Sequence, residues 1–98
     1  MIKELSNLEY DNLKNSDETY IIKYYTSWCN ICSKLESELL KVDFNIYALD
    51  VEKYRDNAVK DNVRGVPTVI LFKGKKELKR FVAYKDADAI NSWIKGVK

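Results

Sequence analysis

The sequence predicts an α/β protein in which a mixed central β-sheet, a parallel βαβ half followed by an antiparallel ββα half, is flanked by helices on both faces. Three observations predict it. Tyr20–Thr26 and Asn45–Val51 are apolar runs rich in β-branched and aromatic residues, and the stretch between them has helical periodicity. That is a βαβ unit, which needs parallel strands and a right-handed crossover. A third apolar run, Val69–Phe72, is joined by Gly74-Lys75-Lys76 to Leu78–Tyr84, which reads as a hairpin. The 98 residues are enough for one domain, spanning 1–98, around a single core.

Each element has a local reason. Met1–Leu5 reads as a short edge strand. Ser6 as N-cap and Glu9 three residues on form a capping box, with Leu5 and Tyr10 as its hydrophobic staple. Tyr10 and Leu13 continue the apolar face until Asn15-Ser16-Asp17 ends the helix. After the strand Tyr20–Thr26, Leu35, Leu39 and Val42 give Asn30–Lys41 the stripe of an amphipathic helix. Asn45–Val51 follows as the second buried strand, then Glu52–Asn62 as a polar helix with Tyr54, Ala58 and Val59 turned inward. Val63–Thr68 is the turn before Val69–Phe72. Asp86 and Asp88 favour the start of a last helix by opposing its dipole, and Ala87, Ile90, Ile94 and Val97 form its core stripe.

Composition narrows the function. A net charge of +2 is too small to argue for nucleic acid or an anionic membrane. The lysines and arginine around the hairpin (Lys73, Lys75, Lys76, Lys79, Arg80) read as a solvated sheet edge. No apolar run approaches the roughly 20 residues of a membrane helix, and the N-terminus lacks a signal-peptide core, so the expected location is the cytosol. There, the only two cysteines form a cycling or metal pair rather than a structural staple. With no histidine in the chain, a zinc site would need two copies of the chain to share one ion.

Those two cysteines lie in Trp28-Cys29-Asn30-Ile31-Cys32, at the junction of a buried strand and a helix. Unpaired backbone N–H groups and the positive end of the helix dipole favour a thiolate there. Cys29, at the end, is expected to be exposed and Cys32, one turn in, covered. An attacking and a resolving thiol so placed make a dithiol–disulfide couple.

Trp-Cys-x-x-Cys after a buried strand, with Gly65-Val66-Pro67-Thr68 about 35 residues later and an apolar strand ending Leu71-Phe72-Lys73-Gly74, resembles thioredoxin over nearly the whole chain. The resemblance implies the thioredoxin fold and protein disulfide oxidoreductase activity. Cys29 would attack a partner's disulfide, Cys32 would resolve the mixed disulfide, and the pair Cys29–Cys32 would be left oxidised. It also implies a cis Val66–Pro67 bond packed against the cysteines; only an X-Pro bond makes cis accessible, at about 0.5–1 kcal/mol. Trp28, Val66, Pro67, Ala83 and Tyr84 would form the docking surface, with Val66's backbone free to pair with an extended substrate. No cofactor is implied beyond the redox-active disulfide. The implied partners are disulfide-containing proteins and a flavin-dependent thioredoxin reductase, met by a monomer.

Three departures stand out. Asn30-Ile31 replaces the family's usual Gly-Pro, loosening the first turn and adding apolar surface. Ala83 falls where a glycine is usual and narrows the groove. Lys23, six residues before Cys29, occupies the place of a buried aspartate, and Ala48 that of its lysine partner. A cation there favours thiolate and a more oxidising couple; the alternative is a stem that passes the sheet edge to pair with Glu52 or Glu36. Two other functions compete. A glutaredoxin-like enzyme would usually carry Cys-Pro-Tyr-Cys and Gly-Gly-x-x-Asp, both absent. A non-catalytic partner-binding module would not need two intact cysteines.

Overall fold

The computed structural model describes residues 2–96, so the expectations on Met1 and Val97 lie outside the described residues. In chain order the elements are β1 (Lys3–Glu4), α1 (Asn7–Lys14), β2 (Thr19–Tyr25), α2 (Asn30–Leu39), β3 (Ile46–Asp50), α3 (Arg55–Lys60), β4 (Thr68–Lys73), β5 (Lys76–Val82) and α4 (Ala87–Lys95). They build one five-stranded sheet in the order β1-β3-β2-β4-β5. β3 runs parallel to both β1 and β2, while β4 runs antiparallel to β2 and β5.

β2 is the central strand, and its alternation sorts the two halves of the core. Tyr20, Ile22 and Tyr24 join Tyr10, Leu13 and Ala58 beneath α1 and α3. Ile21 joins Leu35, Leu39 and Ile90 beneath α2 and α4. Both faces are covered, which is why β2 reads as a continuous apolar run. Lys23, two residues on from Ile21, has the same side of the sheet as Ile21, under α2.

The α1 start is built as its sequence dictates: Glu9 N–H donates to Ser6 Oγ at 3.2 Å and Ser6 N–H to Glu9 Oε1 at 3.3 Å. Leu5 and Tyr10, the staple, are both buried. Asp86 caps α4, accepting from Ala89 N–H at 2.9 Å. The hairpin loop is Gly74-Lys75, since Lys73 pairs with Lys76. Gly74 has φ 56°, and a Cβ there would meet Ser16 O at 2.5 Å, so glycine is required on both counts.

Three expectations fail. The helix expected over Glu52–Asn62 shrinks to Arg55–Lys60. Asp50 Oδ1 accepts from the N–H groups of Glu52 and Lys53, and this local turn holds the backbone out of the helix. Asn62, at φ 56°, ends α3 in the left-handed conformation that asparagine tolerates. In so short a helix Asn57 and Ala58 take the inner face, and Val59, expected inside, is 67% exposed. The returning strand, expected over Leu78–Tyr84, runs from Lys76 to Val82, because Ala83 turns out of it.

A polar cluster sits within the α1/α3 half of the core. Asp61 Oδ2 accepts from Tyr10 Oη at 2.9 Å and Tyr24 Oη at 2.5 Å, and Oδ1 accepts from Lys14 Nζ at 2.8 Å. Arg80 Nη2 donates to the Asp61 carbonyl at 2.8 Å. Burial, then the Asp61 charge, pushes both tyrosine hydroxyls above their ordinary titration range.

Candidate active site

Cys29 is the N-cap of α2. Its Sγ accepts the Cys32 N–H at 3.2 Å, so one of the helix's orphan donors points at the sulfur. Asn30 and Ile31 are exposed in the first turn, while Cys32 is buried. The Cα atoms of Cys29 and Cys32 are 5.2 Å apart and the two sulfurs form a disulfide. Such a pair can cycle between disulfide and dithiol.

Opposite the cysteines, the Val66–Pro67 peptide is cis. Its loop is pinned from two sides: Thr68 Oγ1 donates to Gly65 O at 2.7 Å, and Ala83 N–H donates to Pro67 O at 3.0 Å. Pro67 is buried and Val66 half-buried. Trp28, Cys29, Val51, Gly65 and Val66 line one open groove. Trp28 is 69% exposed, and its indole N–H donates to Glu52 Oε2 at 3.2 Å. Its ring lies on the surface beside the cysteines rather than in the core. Ala83 and Tyr84 do not line that groove; they lie in the segment after β5, exposed, with Ala83 tied to Pro67.

Lys23 is buried beneath α2, not beside an edge, because β2 is interior to the sheet. Its ammonium donates to Glu36 Oε1 at 2.7 Å and stands 4.6 Å from the centre of the Tyr25 ring. Its neighbour in β3 is Ala48. Lys23, Cys32, Ser33 and Glu36 line a polar cavity of about 170 Å³ behind the disulfide. Thr26 lines it too, with a buried hydroxyl that has no protein partner. Among the described residues, no group of three or more His, Cys, Asp or Glu side chains could hold a metal ion.

The thioredoxin family profile matches residues 1–96. The chain belongs to the thioredoxin family. Thioredoxin-1 of Saccharomyces cerevisiae is 32% identical over 96 residues, covering 86% of this chain and 91% of that protein. Oxidised mitochondrial thioredoxin 3 of the same yeast superposes with a TM-score of 0.84 at 26% identity, over 98% of this chain and 95% of that one. A mutant thioredoxin from Halobacterium salinarum NRC-1 gives a TM-score of 0.84 at 25% identity, covering 97% of this chain and 90% of its own. Family and disulfide together make the protein a disulfide oxidoreductase that works by thiol–disulfide exchange. Thioredoxins work without a cofactor, the redox couple being the cysteine pair itself.

One departure from the thioredoxin pattern is now physical. Ala83 has φ 78°, a left-handed conformation in which a Cβ meets the following carbonyl. Ala83→Gly is therefore expected to stabilise the protein by about 1 kcal/mol, the relief of strain outweighing the entropy that glycine adds to the unfolded chain. Thermal denaturation checks this, with an expected rise of about 4–8 °C in a domain of this size. The Glu52 contact to Trp28 and the unpartnered Thr26 hydroxyl in the cavity were not expected from the sequence. Neither has a local signal, since Glu52 lies 24 residues from Trp28 and a threonine at a strand end is unremarked.

Proposed function

We propose that this protein reduces disulfides in partner proteins, as a cytosolic monomer that receives electrons from a flavin-dependent thioredoxin reductase. Cys29 is the attacking thiol and Cys32 the resolving one. The observation that carries this assignment is the asymmetry of the pair: Cys29 Sγ sits at the helix end accepting an N–H, while Cys32 is buried behind it. In the first step the Cys29 thiolate attacks one sulfur of the partner's disulfide and expels the other as thiolate. An extended partner segment pairs with the Val66 backbone beside the cis Val66–Pro67 bond. The exposed Trp28 ring, Ala83 and Tyr84 flank it.

Lys23 tunes the couple. A buried ammonium lining the same cavity as the resolving Cys32 stabilises the anionic, reduced form, which raises the reduction potential. The expected potential is therefore less negative than the about −270 mV of thioredoxin. Equilibration in graded thiol–disulfide buffers, followed by the fluorescence of Trp28, measures it. A value at or below that figure would make Lys23 a bystander. No reversible disulfide at all would remove the enzyme reading in favour of a partner-binding module.

A further inference from the structure

The Lys23 ammonium carries three donors. Among the described residues it makes one hydrogen bond, to Glu36 Oε1 at 2.7 Å. The two partners differ sharply in exposure, the Lys23 side chain at 2% and that of Glu36 at 47%. Glu36 is four residues beyond Cys32 and so shares its helix face. Both line the polar cavity that also contains Lys23. Directly opposite it stand Ala48 in β3 and Val69 in β4; Asp50, two residues on in β3 and paired with Tyr25, is the next carboxylate on that face of the sheet. The ring of Tyr25 lies over it, with a hydroxyl bonded to Glu4 and, for its burial, held neutral above the ordinary range. A buried ammonium thus shares one cavity with a carboxylate that can turn into water and with a sulfur that becomes an anion during the reaction.

We propose that Glu36 is a positioning residue for the exchange reaction: it holds the Lys23 charge while Cys29–Cys32 is a disulfide and yields it to Cys32 when that sulfur becomes a thiolate. This rests on the reading of Lys23 as the tuning residue. A disulfide sulfur is neutral and a poor acceptor, so in the oxidised protein Glu36 is the partner of the buried ammonium. In the resolving step the Cys32 thiol gives its proton to solvent through the cavity. The thiolate then attacks Cys29 Sγ of the mixed disulfide. The Cys32–Cys29 bond forms, the bond from Cys29 to the partner's sulfur breaks, and the electron pair leaves on that sulfur, which takes a proton from solvent. Two electrons pass from the dithiol to the partner. The Lys23 ammonium faces Cys32 while that sulfur is anionic and returns to Glu36 when the sulfur is neutral again. Glu36 is consequently a competitor for the cation that would otherwise serve the thiolate full time.

The test compares the full chain with Glu36→Gln, Lys23→Met and the double variant, in equilibrium with glutathione and in a thiolate absorbance titration. Glutamine keeps an acceptor for the ammonium but no charge, and Lys23→Met removes the buried cation while its partner is free to hydrate. Glu36→Gln is expected to shift the equilibrium about tenfold towards the reduced form, about 30 mV upward, and to lower the pH at which thiolate appears. Lys23→Met is expected to shift both readings the opposite way by a similar factor. In the double variant the effect of Glu36→Gln vanishes, because it acts only through Lys23. Shifts of the same sign in the two single variants overturn the proposal, as does a Glu36→Gln shift that persists without Lys23. A lower urea midpoint for Glu36→Gln with an unchanged potential also overturns it, leaving Glu36 a structural partner. If Lys23→Met moves neither reading, the Lys23 reading falls with it; if Lys23→Met alone moves them, that reading stands and only the Glu36 role is lost.

Discussion

Cys29→Ser is expected to lower disulfide reduction by at least about a thousandfold, because a serine hydroxyl at neutral pH is no nucleophile towards a disulfide and nothing else in the site can replace it. Cys32→Ser is expected to fail differently. The attacking thiol is retained at the N-cap, with its backbone N–H partner in place, so the first exchange still proceeds. The second thiol is missing, so the mixed disulfide cannot be resolved. Turnover falls as far as in Cys29→Ser, but the protein accumulates covalently joined to its partner, one to one. Non-reducing electrophoresis after incubation with a disulfide-containing protein separates the two cases. An adduct formed by Cys29→Ser rather than by Cys32→Ser would reverse the assigned roles. Equal adducts from both would mean that the burial of Cys32 does not protect it.

Asp61→Ala is expected to cost about 3–5 kcal/mol of folding stability. The substitution strands two buried tyrosine hydroxyls and the Lys14 ammonium, whose side chain is 16% exposed, without their shared acceptor. Each hydroxyl left unpaired costs about 1–3 kcal/mol, and the unpaired cation adds to that. Domains of this kind have about 5–15 kcal/mol in total, so the variant will be close to unfolding at physiological temperature. Urea denaturation measures the loss. Asp61→Asn keeps one acceptor oxygen and is expected to cost less; a loss below about 1 kcal/mol for Asp61→Ala would show that Tyr10, Tyr24 and Lys14 find other partners or water. The exchange chemistry of Cys29 and Cys32 lies on the other face of the sheet and is expected to be unchanged in protein that remains folded.

The parts legible in the sequence were those set by neighbours along the chain. Ser6 and Glu9 cap α1 across three residues, and Cys29 and Cys32 meet across the same interval, so spacing alone placed them. The order of β2, α2, β3 and the β4–β5 hairpin followed from runs of apolar residues that the burial of both sheet faces demands. Contacts between distant residues were not legible. Glu36 was one of two carboxylates that could pair with Lys23, and only the position of β2 inside the sheet decides for it; Glu52, the other, takes Trp28. The Asp61 cluster was invisible, since Tyr10, Tyr24 and Lys14 come from β2 and α1 and nothing near Asp61 announces them. α3 was overestimated because a side-chain turn at Asp50 competes with helix, and residue counting does not weigh that competition.

The cap of α2 has a thermodynamic reading of its own. No serine, aspartate or asparagine closes this helix; its first turn is closed by Cys29 Sγ, the same atom that attacks and is attacked. Interaction free energies are reciprocal: whatever the helix end contributes to holding negative charge on that sulfur, the charged sulfur contributes to holding the helix end together. Opening the disulfide therefore does more than remove a short cross-link. It exchanges a covalent constraint for an anionic cap, and the order of the first turn of α2 becomes a quantity that the redox chemistry itself sets.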